Sequence, residues 1–217
     1  KTAYEIRPRD WSSDVCSSDL QAVNPSLLTA LIADRELAKS PGSSIIYNLI
    51  SSKSVREIVE ERGGKALRSR VGHSYIKAMM AESGAIFGGE HSGHFYFADF
   101  WRADSGMLAA LHAIAALGAS NLKLSELLAP YSRYFSSGEI NSKVKDGAKI
   151  IESLKVSYQA EPGVSIDELD GLTVNGDTWW FNVRASNTEP LLRLNVEAKS
   201  ETQMAKLRDH LLALIRG

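Results

Sequence analysis

The residues best suited to chemistry fall in two polar loops about ninety positions apart. The first reads Gly88-Gly89-Glu90-His91-Ser92-Gly93-His94. The second reads Arg184-Ala185-Ser186-Asn187-Thr188-Glu189-Pro190, and Arg193 follows. In the second, hydroxyl and amide side chains between guanidinium groups can satisfy the terminal oxygens of a phosphate monoester. The guanidinium does so bidentately, which a lysine cannot. Successive backbone N–H groups in such a turn add an anion-binding nest. In the first loop, Glu90 offers two acceptor oxygens suited to vicinal sugar hydroxyls. Ser92 donates or accepts, and His91 and His94 can move protons near neutral pH. Gly88 and Gly89 are expected to let the backbone approach a ligand closely, and Gly93 to keep the chain open after Ser92. A site with both loops suits a phosphorylated sugar. Each loop alone also fits a plainer reading. The first is then a solvated turn between Ala85-Ile86-Phe87 and Phe95-Tyr96-Phe97, and the second a polar hairpin satisfying its own backbone.

The elements that position these loops read as two domains, over residues 21–134 and 139–217, after a separate segment 1–20. The first is expected to be an α/β layered domain, a mixed sheet with helices. A helix is predicted over 26–37, a buried strand over 43–50, and a helix opened by Ser54 with Glu57 in a capping box. A strand near 66–67, a helix over 74–83 and a short strand over 85–87 lead to the first loop. Asp104 or Ser105 is expected to cap an Ala/Leu-rich helix ending at Gly118, apolar on most faces and therefore read as core. His112 within it reads as a half-buried packing residue, and Trp101, Arg102 and Asp104 as packing after the loop, with lining of the cleft as the alternative. A helix over 122–134 follows, with Phe135-Ser136-Ser137-Gly138 as the hinge. The second domain is expected to be a smaller α+β unit, a four-stranded sheet with two helices. Its strands lie over 139–144, 172–174, 178–184 and 191–197. A helix over 146–154 follows the first of these. A closing helix is capped by Ser200 with Gln203, and its apolar stripe is Met204, Leu207, Leu211, Leu214 and Ile215. Trp179 and Trp180 alternate, so at least one faces the core.

With 25 basic and 26 acidic side chains, the chain offers no basic field to nucleic acid or anionic lipid. The one cysteine, Cys16, permits no internal disulfide, which suits a reducing cytoplasm. The longest apolar stretch, 107–119, is broken by His112 and too short for a bilayer. Neither a nucleic acid nor a membrane is expected as partner.

Taken together, the loops resemble the motifs Gly-Glu-(Met/His)-Ser-(Gly/Ala)-His and Arg-Ala-Ser-Asn-Thr-(Glu/Thr)-Pro of the α-D-phosphohexomutases, in the bacterial phosphomannomutase/phosphoglucomutase branch. Ile45-Ile46-Tyr47-Asn48-Leu49, Ser51-Ser52-Lys53 and Arg70-Val71-Gly72-His73-Ser74 agree with it. The resemblance runs from about Gln21 to the C-terminus. Residues 1–20, rich in Ser and Asp, read as foreign to the family pattern or as a native tail.

The resemblance implies four domains around one cleft: a phosphoserine domain, a magnesium domain with an Asp-rich loop, a sugar-recognition domain and a phosphate-binding domain. Only the third and fourth match here. No Ser-His-Asn run and no Asp-x-Asp-x-Asp-Arg run occurs. Asp167-Glu168-Leu169-Asp170 lacks the spacing and reads as a helix cap or surface cluster. The length, 217 residues, suits one or two domains. The resemblance therefore implies no catalytic nucleophile and no metal ligand in this chain, with Mg2+ and a hexose bisphosphate activator serving the full-length enzyme.

By the same resemblance, Glu90 and Ser92 bind sugar hydroxyls, with His91 and Arg70 beside them. Arg184, Ser186, Asn187, Thr188 and Arg193 grip the non-transferring phosphate. His94 and His73 are candidates for proton transfer or positioning. The partners implied are a phosphorylated hexose, mannose or glucose phosphate, and the missing N-terminal domains. The pattern departs from relatives at His91 (often Met), Arg70 (often Lys), Asn48 (an Asp) and Ile50 (a Lys). Asn187 argues against the phosphoglucosamine branch. The expectation is the substrate-recognition half of a mutase interconverting hexose 6-phosphate and hexose 1-phosphate through a bisphosphate, inactive alone. A non-catalytic phosphosugar-binding module and one half of a split enzyme stand as alternatives.

Overall fold

The computed structural model describes residues 22–186 and 189–217. The segment 1–20 and the loop residues Asn187 and Thr188 lie outside the described residues. Two compact units are present, one ending at Arg133 and the other spanning Tyr134–Gly217.

In the first unit a five-stranded sheet runs in the order β2-β1-β3-β4-β5. Its strands are β1 (Ser44–Asn48), β2 (Lys65–Ser69), β3 (Phe87–Gly89), β4 (Phe95–Phe97) and β5 (Ala103–Asp104). β2, β1 and β3 are parallel, and β4 and β5 add antiparallel. Alternation along β1 splits its side chains between two cores. Ile45 and Tyr47 join the packing of α1 (Pro25–Lys39), α2 (Lys53–Glu61), α4 (Gly106–Gly118) and α5 (Leu124–Leu128), while Ile46 meets Ile76 and Met80 of α3 (His73–Ser83). Burial on this scale stabilises by about 1.5–3 kcal/mol per large aliphatic side chain. The result is a layered α/β unit, as expected.

Several local expectations are corrected. Ser52, not Ser54, caps α2, its hydroxyl accepting from the Ser54 N–H at 3.2 Å, while Glu57 accepts from Arg133. The helix expected over 122–134 stops at Leu128 and becomes a short 3-10 turn, Ala129–Tyr131, because Pro130 has no N–H to continue the ladder. Helix α4 is not wholly core. Its small residues Ala109, Ala113 and Ala116 are buried, whereas Met107, Leu111 and Ile114 face outward. Small residues spaced by three and four let the helix settle against α1, which turns the larger ones away. His112 is a packing residue: its ring stacks on Phe97 at 5.3 Å and burial pushes its pKa down.

The second unit is an antiparallel sheet ordered β6-β10-β9-β8-β7, with α6 (Gly147–Gln159) and α7 (Glu201–Arg216). Its strands are β6 (Phe135–Lys143), β7 (Ser165–Asp167), β8 (Leu172–Asn175), β9 (Trp179–Ala185) and β10 (Leu191–Ala198). Five strands replace the four expected. β7 is a three-residue edge strand, too short to carry an alternation, and pairs with β8. The acidic cluster caps no helix: Asp167 ends β7 and accepts from the Leu169 N–H at 2.7 Å. Phe135–Gly138, expected as an irregular linker, forms the start of β6, broken by a bulge. Glu139 faces Asn195 and Ser136 faces Glu197, so Ser137 and Gly138 stand opposite Val196 alone. Gly138 supplies the positive φ of 65° there, and the Ser137 hydroxyl accepts from the Val196 N–H at 3.0 Å.

Ser200 caps α7 as expected, but the Gln203 amide bonds Thr178 instead of completing the box. Of the expected stripe, Met204, Leu211 and Ile215 are buried, Leu207 partly so, and Leu214 is exposed. No helix of the described residues is long and apolar enough to cross a membrane.

Candidate functional site

Each unit carries one of the two loops. In the first unit the loop joins β3 to β4, closed by Glu90 N–H to His94 C=O at 2.9 Å and Gly93 N–H to Glu90 C=O at 3.0 Å. Gly93 takes φ 89°, the conformation only glycine adopts freely. Gly88 and Gly89 have a different role from the one expected. A Cβ on Gly89 would lie 2.5 Å from the Thr29 side chain, and one on Gly88 3.0 Å from Ile76. Their missing side chains make room for α1 and α3.

Glu90 is the anchor of this loop. Glu90 is 2% exposed, and its carboxylate accepts from Tyr96 Oη at 2.7 Å, Gly72 N–H at 3.2 Å and Asn48 Nδ2 at 3.3 Å. Gly72 is the N-cap of α3 and has no side chain to offer, so the Glu90 carboxylate satisfies that helix end and complements its dipole. Three donors leave about one of the four lone-pair sites of the carboxylate for anything else. The bond to Gly72 also ties the loop to His73, the next residue. Asn48 Oδ1 accepts from the His91 N–H at 3.3 Å, and the His91 ring reaches Ser26 Oγ at 3.2 Å.

His94 turns its Nδ1 to the Asp104 carboxylate at 2.6 Å, and the other oxygen of Asp104 accepts from the Phe95 N–H at 2.9 Å. Burial pushes the Asp104 carboxyl up. The hydrogen bonds from His94 and Phe95, with Lys77 nearby, outweigh it and hold the pKa below the usual value. Ser92 and His73 are exposed, and the exposed Arg70 lies over the Tyr75 ring at 5.1 Å.

In the second unit, strand alternation sorts the residues. Phe181, Val183, Leu192, Leu194 and Val196 join the core under α6 and α7. The other face carries Asn182 and Arg184 of β9 with Arg193, Asn195 and Glu197 of β10, where Arg184 sits directly opposite Arg193. Two like charges in that position repel. Glu139 of β6 lies between them: Oε2 accepts from Arg184 Nη2 at 2.9 Å and Oε1 from Arg193 Nη1 at 3.2 Å. Arg193 Nη2 also reaches Ser186 Oγ at 3.4 Å, at the start of the loop that Ser186 N–H closes on Leu191 C=O at 2.9 Å. The Nε atoms of both arginines are buried and have no hydrogen-bond partner among the described residues. A cleft of about 650 Å3 lined by Trp179, Gln203, Lys206 and His210 contains none of these residues and belongs to the helix side of the sheet.

Residues 24–134 match the family description "Phosphoglucomutase/phosphomannomutase, alpha/beta/alpha domain III". The chain belongs to this family. Residues 139–214 match its C-terminal domain. A phosphomannomutase of Methanocaldococcus jannaschii is 43% identical over 189 residues, covering 87% of this chain and 41% of that protein. One from Escherichia coli is 38% identical over 192 residues, covering 87% and 42%. A solved Burkholderia thailandensis phosphoglucomutase/phosphomannomutase family protein superposes with TM-score 0.78 at 30% identity, over 90% of this chain and 42% of that one. An Aspergillus fumigatus N-acetylphosphoglucosamine mutase, solved with GlcNAc-6P and magnesium, shares the fold at TM-score 0.62 and 15% identity, over 91% and 48%. The chain thus spans about two-fifths of the length of the phosphomannomutases it matches.

Within this phosphohexomutase framework the first unit brings Glu90, His91 and the segment before His73 together, and the second brings Arg184, Arg193 and Ser186 together. Sequence reasoning missed Tyr96, Asp104 and Glu139 as partners of these residues. The signal for the polar face was present in the strict alternation of Arg193, Asn195 and Glu197. Among the described residues no three His, Cys, Asp or Glu are grouped to hold a metal ion.

Proposed function

We propose that this chain is the substrate-recognition portion of a phosphohexomutase that interconverts hexose 6-phosphate and hexose 1-phosphate through a bisphosphate. The observation that carries this reading is the pair of buried Nε donors on Arg184 and Arg193, which have no hydrogen-bond partner among the described residues. A phosphate monoester supplies the acceptors those donors lack, and leaving them unmade costs free energy. In this reading Arg184, Arg193 and Ser186, with Asn187 and Thr188, grip the non-transferring phosphate. Glu90, Ser92, His91 and Arg70 recognise the sugar. Asp104 holds the His94 ring, and His94 and His73 serve in proton transfer or in positioning the sugar.

The reading places the phosphoryl-transferring serine, Mg2+ and the hexose bisphosphate activator in portions of the relatives that this chain does not match. In this reading the portion is inactive alone, and within the full-length enzyme it recognises mannose or glucose phosphate in the cytoplasm. Calorimetric titration with mannose 1-phosphate and glucose 1-phosphate tests this, with Arg184→Ala beside the wild type. Binding that disappears in a folded Arg184→Ala supports the reading. A folded wild-type chain that binds neither sugar phosphate overturns it.

A further inference from the structure

The bridge between the two arginines does more than balance their charge. Glu139 occupies donors on both guanidinium groups, and both Nε atoms are unpaired among the described residues. It is placed there by the bulge, since Ser137 and Gly138 opposite Val196 shift the odd–even count of β6 just before Glu139. Bulges of this kind re-aim a side chain beside a site. Arg184 is 8% exposed, so removing its counter-ion would leave a guanidinium that water barely reaches.

We propose that Glu139 is an internal competitor of the ligand's phosphate. It holds Arg184 and Arg193 together when phosphate is absent, and its negative charge weakens their grip when phosphate is bound. This rests on the reading of the 184–193 segment as a phosphate site. The charge count makes the point: two guanidinium groups and one carboxylate sum to +1, so a dianion overfills the site by one charge. A phosphosugar held this way leaves readily. Such release suits a reaction in which the same ligand must be presented by either end.

The two effects of Glu139 have opposite signs, which separates the proposal from a purely structural role. Wild type and Glu139→Gln are compared by thermal melting in phosphate-free buffer and by calorimetric titration with inorganic phosphate and glucose 1-phosphate. The expected result is a lower melting temperature for Glu139→Gln without phosphate, together with phosphate binding tighter by about tenfold. Saturating phosphate should then raise its melting temperature by more than it raises that of wild type.

If wild type binds phosphate and Glu139→Gln binds it no more tightly, the proposal is wrong while the phosphate-site reading stands. If neither binds, the reading falls and the proposal with it. A measurement needing no variant guards against misfolding. In the wild-type chain the carboxyl carbon resonance of Glu139 should move as phosphate is added, and a static resonance under saturating phosphate overturns the proposal.

Discussion

Asp104 and Glu139 play parallel parts in their two units: each is a carboxylate whose partner is the residue with the more obvious chemistry. For Asp104 the consequence is measurable as acid sensitivity. Its folded pKa lies below the unfolded value of about 3.9, so its stabilising contribution is complete above that value and is lost as pH falls through the folded one. Asp104→Asn should therefore cost about 1 kcal/mol at neutral pH, given partial exposure of the pair, and the gap to wild type should close below about pH 4. Urea unfolding at pH 3 and pH 6 checks it, and a gap that stays constant would contradict the assignment. The two loops themselves were legible in the sequence because each is contiguous. Their carboxylate partners were not, because Glu139 meets Arg184 and Arg193 across strands, and Asp104 meets His94 across a pair of strands joined by a turn.

Among the elements, β3 is defined by what it lacks. Gly88 and Gly89 read in the sequence as space for a ligand, yet that space is taken by the protein's own helices. Gly89→Ala would push a methyl group into Thr29 of α1, and overpacking of this kind costs about 1–3 kcal/mol. Thr29→Ala in the same chain removes the clashing γ atoms and should recover part of the loss, so a double-mutant cycle by chemical denaturation should give a non-zero coupling. Additive losses would mean that the helix and strand adjust independently. Element existence was largely readable: the Leu/Ala-rich run over 26–37 marks α1, and Ser200 opens α7, whereas the Asn24 cap and Pro25 that start α1 were not read. Burial was less so. Helix α4 is apolar all round, and a pattern with no polar face cannot say which side is covered. The structure shows that residue size decided it, with alanines inward.

For the whole molecule, the two units have separate hydrophobic cores. A unit with its own core can in principle fold alone. Residues 134–217 expressed by themselves should retain a cooperative thermal transition and the dispersed amide spectrum of an antiparallel sheet. A non-cooperative melt would show that this unit depends on the rest of the chain. The division into a layered α/β part and a smaller α+β part was legible from the change in period after Tyr134. The fifth strand was not, since three residues at a sheet edge leave no periodic trace.

The bulge in β6 carries one more consequence, and it concerns counting. Ser136 and Glu139 are three residues apart, an odd interval, yet their partners Glu197 and Asn195 lie on one face of β10. The bulge therefore acts as a parity correction written into the length of the strand. Most substitutions in this segment would leave that parity intact, whatever they did to the contacts. Loss of a single residue would reset it, and either Glu139 or the strand before it would face the wrong way. Here the spelling of the strand can drift, but its number of letters cannot.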